Sequence, residues 1–386
     1  MKTILKMIAG LMVGMAAGLL IALAGLWIFN RMTPSEFFAK VCDVKMAEML
    51  LVGVECMVCF LVSVFVLVLV HEAGHLVCGL LTGYRFVSFR IFNYVFIKVD
   101  GKIRVKRFGI EGTGGQCLLS PPDLPDAEIS TGWYNCGGVL ANVIVFFAAV
   151  PLLFSSHPLV AANAVVFMIT DLLLIMINGI PMKLGGMGND AYNMLHLRHD
   201  LAAKHGLVCQ LRSNATTQNG VRPKDMPEEW FEVEGNTDYS NPLEVAVPLM
   251  RASRLLDMEQ YDRALSAFED LYDHRDKIIG IYVKEIACEL SYLYLVSGRI
   301  DEASAILDKD LMKYVETYRS LMSSKERLMC AIALFMDKDA DRALEIYNTL
   351  GSRKEEYLLQ GEVKSDLALM HTMLEKAGVI SQASRS

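Results

Sequence analysis

Residues 66–81 read VLVLVHEAGHLVCGLL. His71-Glu72-x-x-His75 therefore sits inside a run that is otherwise almost all Val, Leu, Ala and Gly. On a helix, residues four apart lie about 40° apart around the axis, so both imidazoles can reach one cation, with Glu72 beside them. A His-Glu-x-x-His helix is the arrangement of zinc hydrolases, in which the histidines are ligands and the glutamate is the general base. The competing reading is chance plus polar helix packing. With 8 His in 386 residues, the pentad should arise by chance in about 1% of such chains. Ionisable groups within an apolar span are also costly and functional by default.

The chain is 53% hydrophobic and only 21% charged, too apolar for a wholly soluble protein of this length. The charge is unevenly spread. Residues 1–200 carry 14 Lys/Arg against 13 Asp/Glu, whereas 201–386 carry 23 against 31, a net −8. A membrane half followed by an acidic half is expected. An overall −7 with no basic stripe excludes a nucleic-acid surface.

Four runs are long enough to cross the roughly 30 Å hydrocarbon core. They are Met7–Phe29, Leu50–Val70 continuing to Leu81, Cys136–Phe154 and Leu159–Ile180. The first could instead be a cleavable signal peptide; its apolar run continues through Gly25–Phe29, which favours a retained helix. Between the second and third runs, the segment Tyr84–Arg107 holds Arg85, Arg90, Lys98, Lys102, Arg104, Lys106 and Arg107 against Asp100 alone. The positive-inside rule makes that segment cytoplasmic, and with it both termini.

Three further stretches accompany the pentad: Gly137-Gly138-Val139-Leu140-Ala141-Asn142, Asn178-Gly179-Ile180-Pro181 and Asn189-Asp190-Ala191. With them, residues 1 to about 200 resemble the site-2 protease family of intramembrane zinc metalloproteases. The first stretch is similar to the family's G-P-x-x-N segment, with Gly138 where Pro is usual. The second is similar to its N-x-x-P. The third stands in for L-D-G, with Ala191 where Gly is usual. The resemblance implies Zn2+ held by His71, His75 and Asp190, with Glu72 as catalytic base and a membrane protein as substrate. It implies substrate positioning by Asn142 and Asn178, for which helix-to-helix hydrogen bonding is an equal alternative.

Asp171 competes with Asp190 as third ligand. It lies about 10 Å deeper than Asn178 along the same helix. Pro181 ends that helix, and residues 182–189 can turn Asp190 back toward the histidines. Asn189 or Asp190 could also simply cap a helix over 191–197.

Residues 86–99 and 102–106 read as a β-hairpin about Asp100-Gly101, its bases suited to an anionic leaflet and its edge to strand addition by substrate. Gly112–Cys117 reads as a flexible turn re-entering toward the site, where Gln116 could bind a substrate carbonyl. The cysteines, Cys56-x-x-Cys59 included, read as small buried hydrophobes.

Residues 201–239 are polar and read as a linker. Beyond them, Tyr261–Phe268, Ile300–Leu307 and Ala340–Tyr347 share an apolar-x-x-Ala-x-x-x-apolar frame at intervals of 39 and 40. This resembles tetratricopeptide-like repeats, somewhat longer than their usual length of about 34. Such repeats stack into a solenoid whose concave face binds a peptide or protein; a plain helical bundle is the alternative.

The expected architecture is thus an α-helical polytopic membrane protein of about four transmembrane helices with a cytoplasmic β-hairpin insertion, followed by an all-α tetratricopeptide-like solenoid. Its domains would be 1–200, the linker 201–239, and a cytoplasmic helical-repeat domain over 240–386. A non-proteolytic zinc-binding scaffold and a metal transporter are the rival functions. Glu72 argues against the first, and the few polar residues in the later spans argue against the second.

Overall fold

A single helix, α1 (Met46–Leu81), carries the pentad in its C-terminal third. Its 36 residues extend about 54 Å at 1.5 Å each. The computed structural model describes residues 46–99, 102–109, 114–233 and 235–380. The expected first span, Met7–Phe29, and the Asp100-Gly101 turn lie outside the described residues. Among the described residues, three helical stretches are long and apolar enough to cross a membrane: Leu50–Leu81, Asp126–Phe154 and Pro158–Gly179. They coincide with the second, third and fourth expected spans.

After α1 the chain forms a four-stranded antiparallel sheet: β1 (Arg85–Ile91), β2 (Tyr94–Val99), β3 (Lys102–Arg107) and β4 (Gly115–Ser120), in the order β3-β2-β1-β4. The sequence suggested one extended run over 86–99. The chain instead folds back at Phe92, which adopts φ 49°, so that Arg90 pairs with Val95. The expected flexible turn at 112–117 is corrected as well: from Gly115 onward it is strand β4, paired with β1. Four strands can share one apolar face where an isolated hairpin is marginal.

The basic residues of the hairpin do not all face a leaflet. Arg90 is buried, 2% exposed, and Lys106 donates to the carbonyls of Glu355 and Tyr357 at 2.7 Å each. On that side of the sheet Val95 and Ile97 pack against Leu358. Tyr94, Phe96, Ile103 and Val105 are exposed.

Helices α2 (Thr131–Ala149) and α3 (Pro158–Gly179) follow, then a two-stranded ribbon of β5 (Lys183–Leu184) and β6 (Met187–Gly188), and the short helix α4 (Asp190–His196). The expected linker over 201–239 opens with a helix. Leu201–Gln218 is helix α5, capped by the Asp200 side chain accepting from the Ala203 amide. Its Val208, Leu211 and Ala215 join Tyr84, Val87, Leu118, Leu119 and Ile129 in one core. Those three positions are spaced i, i+3, i+7, one helical face that the polar residues between them disguise.

Eight α-helices follow among the described residues: α6 (Pro242–Asp257), α7 (Tyr261–Asp273), α8 (Gly280–Val296), α9 (Ile300–Ile306), α10 (Lys309–Tyr318), α11 (Ser323–Ala331), α12 (Ala340–Arg353) and α13 (Gln360–Lys376). The three repeated frames open α7, α9 and α12, and their alanines Ala264, Ala303 and Ala343 are each 0% exposed. All three belong to the core of the helical half. Helix α13 packs back onto α5 and α6. From Ser63 on, the described residues form one compact unit.

Candidate metal centre

Helices α1 and α2 meet backbone to backbone. A Cβ at Gly74 would lie 2.2 Å from the Gly137 carbonyl oxygen, so glycine at both positions permits the contact. The approach turns the pentad toward α2. His75 Nδ1 lies 2.7 Å from the Tyr134 carbonyl oxygen, and His71 Nδ1 lies 2.9 Å from Asn142 Oδ1. Each ring is thus held at Nδ1 and presents Nε2 to the same space.

The third donor arrives from the far end of α3. Asn189 donates to the carbonyls of Ile177 (2.6 Å) and Ile180 (2.7 Å), and its Oδ1 accepts from the amides of Met182 (3.2 Å) and Tyr192 (3.0 Å). One amide side chain therefore closes the loop after Pro181 and caps α4. The cap leaves Asp190 free to turn inward. Asp190 Oδ2 lies 3.0 Å from His71 Nε2 and 3.3 Å from His75 Nε2, and the two Nε2 atoms are 3.2 Å apart.

Donors about 2.0–2.1 Å from a common tetrahedral ion stand roughly 3.3 Å apart, so this triangle is the size a zinc ion requires. The donor set, two imidazoles and a carboxylate, also suits Zn2+.

Gly138 lies directly against both rings. A Cβ there would fall 2.5 Å from His71 Cε1 and 2.6 Å from His75 Nε2, so no larger residue fits beside this ring pair. Gly115 acts similarly for the carboxylate: a Cβ would lie 2.6 Å from Glu72 Cγ. The backbone of β4 therefore lies directly against Glu72, which is 9% exposed. Arg90, on β1, steadies that stretch by donating to the carbonyls of Gly115 (3.1 Å) and Phe92 (2.8 Å). Tyr134 ties α2 to β4 through its hydroxyl, which donates to the Cys117 carbonyl at 2.7 Å.

The structure thus brings His71, Glu72, His75 and Asp190 together. Asn142 is 0% exposed and bonds from helix to helix, the equal alternative the sequence left open, with Oδ1 on His71 and Nδ2 donating to Asp171 at 2.6 Å. Asn178 donates to Leu174 in its own helix. Gln116 is exposed on β4. Arg90 and Tyr134 were not foreseen, because their parts depend on strand pairing and on a backbone carbonyl that no residue type marks.

A second cluster of donors, Asp126, His205 and Cys209, lies where α5 meets the segment before α2. His205 Nδ1 is 2.6 Å from Asp126 Oδ2, a hydrogen-bond length too short for two ligands of one ion, and Arg212 Nη1 sits 3.0 Å from the other oxygen. That group is an ion-paired clamp, in which the Asp126 bond pushes His205 up to about 10. No family model, curated protein or solved structure matches this chain.

Proposed function

We propose that this chain is an intramembrane zinc metalloprotease of the site-2 protease kind, hydrolysing a peptide bond of a membrane protein near the cytoplasmic face. The observation that carries the proposal is the triangle of His71 Nε2, His75 Nε2 and Asp190 Oδ2, with sides of 3.0–3.3 Å, its two histidines on a helix apolar enough to span a bilayer. His71, His75 and Asp190 would hold the ion, which supplies Lewis acidity toward water and a carbonyl oxygen.

The rest of the chemistry belongs to the chain. Glu72 takes a proton from the attacking water and passes it to the departing amine nitrogen, so that one C–N bond is exchanged for a carboxylate and an amine. Substrate must be unwound, because a helical peptide bond is shielded by its own hydrogen bonds. Strand β4 is an outer strand of the sheet and lies against Glu72. It would take the unwound segment as an added strand, with Gln116 exposed beside it. The buried alanines of the repeated frames support a tetratricopeptide-like domain over 240–386, on the cytoplasmic side, that recruits a substrate or regulator.

Co-expression of short membrane proteins with the wild type and with Glu72→Gln tests the reading. Fragments should appear only with the wild type, while both proteins retain zinc, since Glu72 is not a ligand. Equal fragment patterns would end the proteolytic reading.

A further inference from the structure

We propose that Asn142 and Asp171 are positioning residues that fix the tautomer and ring orientation of His71, so that Nε2 rather than Nδ1 presents its lone pair toward Asp190. The inference rests on the zinc-site reading above. Both side chains are 0% exposed, one on α2 and one on α3, inside two helices otherwise almost wholly apolar. A buried carboxylate there is costly and needs an account.

An asparagine amide can be turned either way, and its neighbours decide which. Asp171 Oδ1 accepts, so it draws the NH2 of Asn142 to itself at 2.6 Å. The amide oxygen is then left facing His71 Nδ1 at 2.9 Å, and an oxygen there requires Nδ1 to carry the hydrogen. Nε2 consequently keeps its lone pair. His75 reaches the same state by a shorter route, since Nδ1 faces the carbonyl oxygen of Tyr134, which can only accept. Groups that hold a ligating histidine by its second nitrogen commonly govern metal affinity. Here the hold on His71 is indirect, running from carboxylate to amide to ring across three helices. Asp171 Oδ2 has no hydrogen-bond partner, so the single bond through Oδ1 is what the carboxylate does.

An alternative role is a plain bridge between α2 and α3. Isosteric substitutions separate the two. Asp171→Asn leaves a pair of amides that can still bridge the helices, but it removes the group that dictates which way Asn142 faces. Asn142→Asp keeps an acceptor for His71 but sets two carboxylates against each other. The double variant Asn142→Asp/Asp171→Asn exchanges amide and carboxylate and keeps both hydrogen bonds, the one between 142 and 171 with its direction reversed: the carboxylate at 142 accepts from His71 and from the amide at 171.

The test is the zinc dissociation constant of the purified full chain in detergent, by chelator competition, together with the visible spectrum of the Co2+-loaded protein. Each single variant should bind zinc on the order of 10- to 100-fold more weakly, with an altered cobalt spectrum. The double variant should recover most of both. Wild-type affinity and spectrum in Asp171→Asn would overturn the proposal, as would a double variant no better than the worse single one. A wild type that takes up no zinc would instead sink the zinc-site reading itself.

Discussion

Two regions of this molecule bury charge, and they do so differently. In the helical half, Lys325 (0% exposed) meets Glu285 at 2.8 Å, and Arg327 (3%) meets Glu289 at 2.6 Å and Asp366 at 2.7 Å. Each of these carboxylates faces a cation supplied by the chain itself. Beside α1, two ring nitrogens and a carboxylate oxygen converge on one point at 3.0–3.3 Å, each ring anchored from behind. Matched pairs hold a fold together. Converging donors of like kind describe a place for something the chain does not itself provide.

The largest effect that can break this comparison is expected at Asp190. Asp190→Ala should abolish zinc retention and cleavage together, while the helical half keeps its fold by circular dichroism. Next is Gly138→Ala, which adds one methyl group where two imidazoles stand 2.5 and 2.6 Å away. Zinc affinity should fall at least about 10-fold, and affinity unchanged would mean that the rings are not where the structure puts them. In the helical half, Arg327→Met leaves Glu289 and Asp366 buried without their cation and should cost about 3–5 kcal/mol in urea unfolding. Its folded form should bind zinc as the wild type does; loss of metal there would show that the two regions are one site.

How much of this was legible beforehand follows from range in sequence. His71, Glu72 and His75 declare themselves because helical periodicity alone places them together. Asp190 could be argued from Pro181 and a loop of the right length. The reach of Asn189 to Ile177 and Ile180, which aims that loop, could not, since a capping asparagine looks the same wherever the helix before it ends. Asn142 was visible as a polar residue in an apolar span, but its orientation depends on Asp171, which only tertiary packing brings near. The helix that opens the expected linker was hidden for a related reason. Helix α5 is polar on most of its surface, and its narrow apolar face has meaning only beside the sheet that covers it.

Smaller effects sharpen the join between the halves. Lys106→Met removes two hydrogen bonds from β3 to the helical half and should cost about 1–2 kcal/mol, read as faster amide exchange in β2 and β3. Unchanged exchange would mean that the apolar contact of Val95 and Ile97 with Leu358 suffices. The slightest is the clamp at His205, whose pKa is raised to about 10 by Asp126. A raised histidine pKa contributes stability fully below the unfolded value of about 6.5 and loses it as pH rises through the folded one. Protease resistance of α5 should therefore decline between about pH 6.5 and 10, and decline less in His205→Gln. Equal declines would assign the loss to other groups.

X-ray absorption at the zinc edge of the purified chain reads the ligand set itself. The assignment of His71, His75 and Asp190 requires one zinc per chain with only nitrogen and oxygen neighbours at about 2.0–2.2 Å, including two imidazoles, and its loss in Asp190→Ala. A sulfur neighbour at about 2.3 Å would place the ion at Cys209 or another thiol instead. That result, or a chain that binds no zinc, would contradict it.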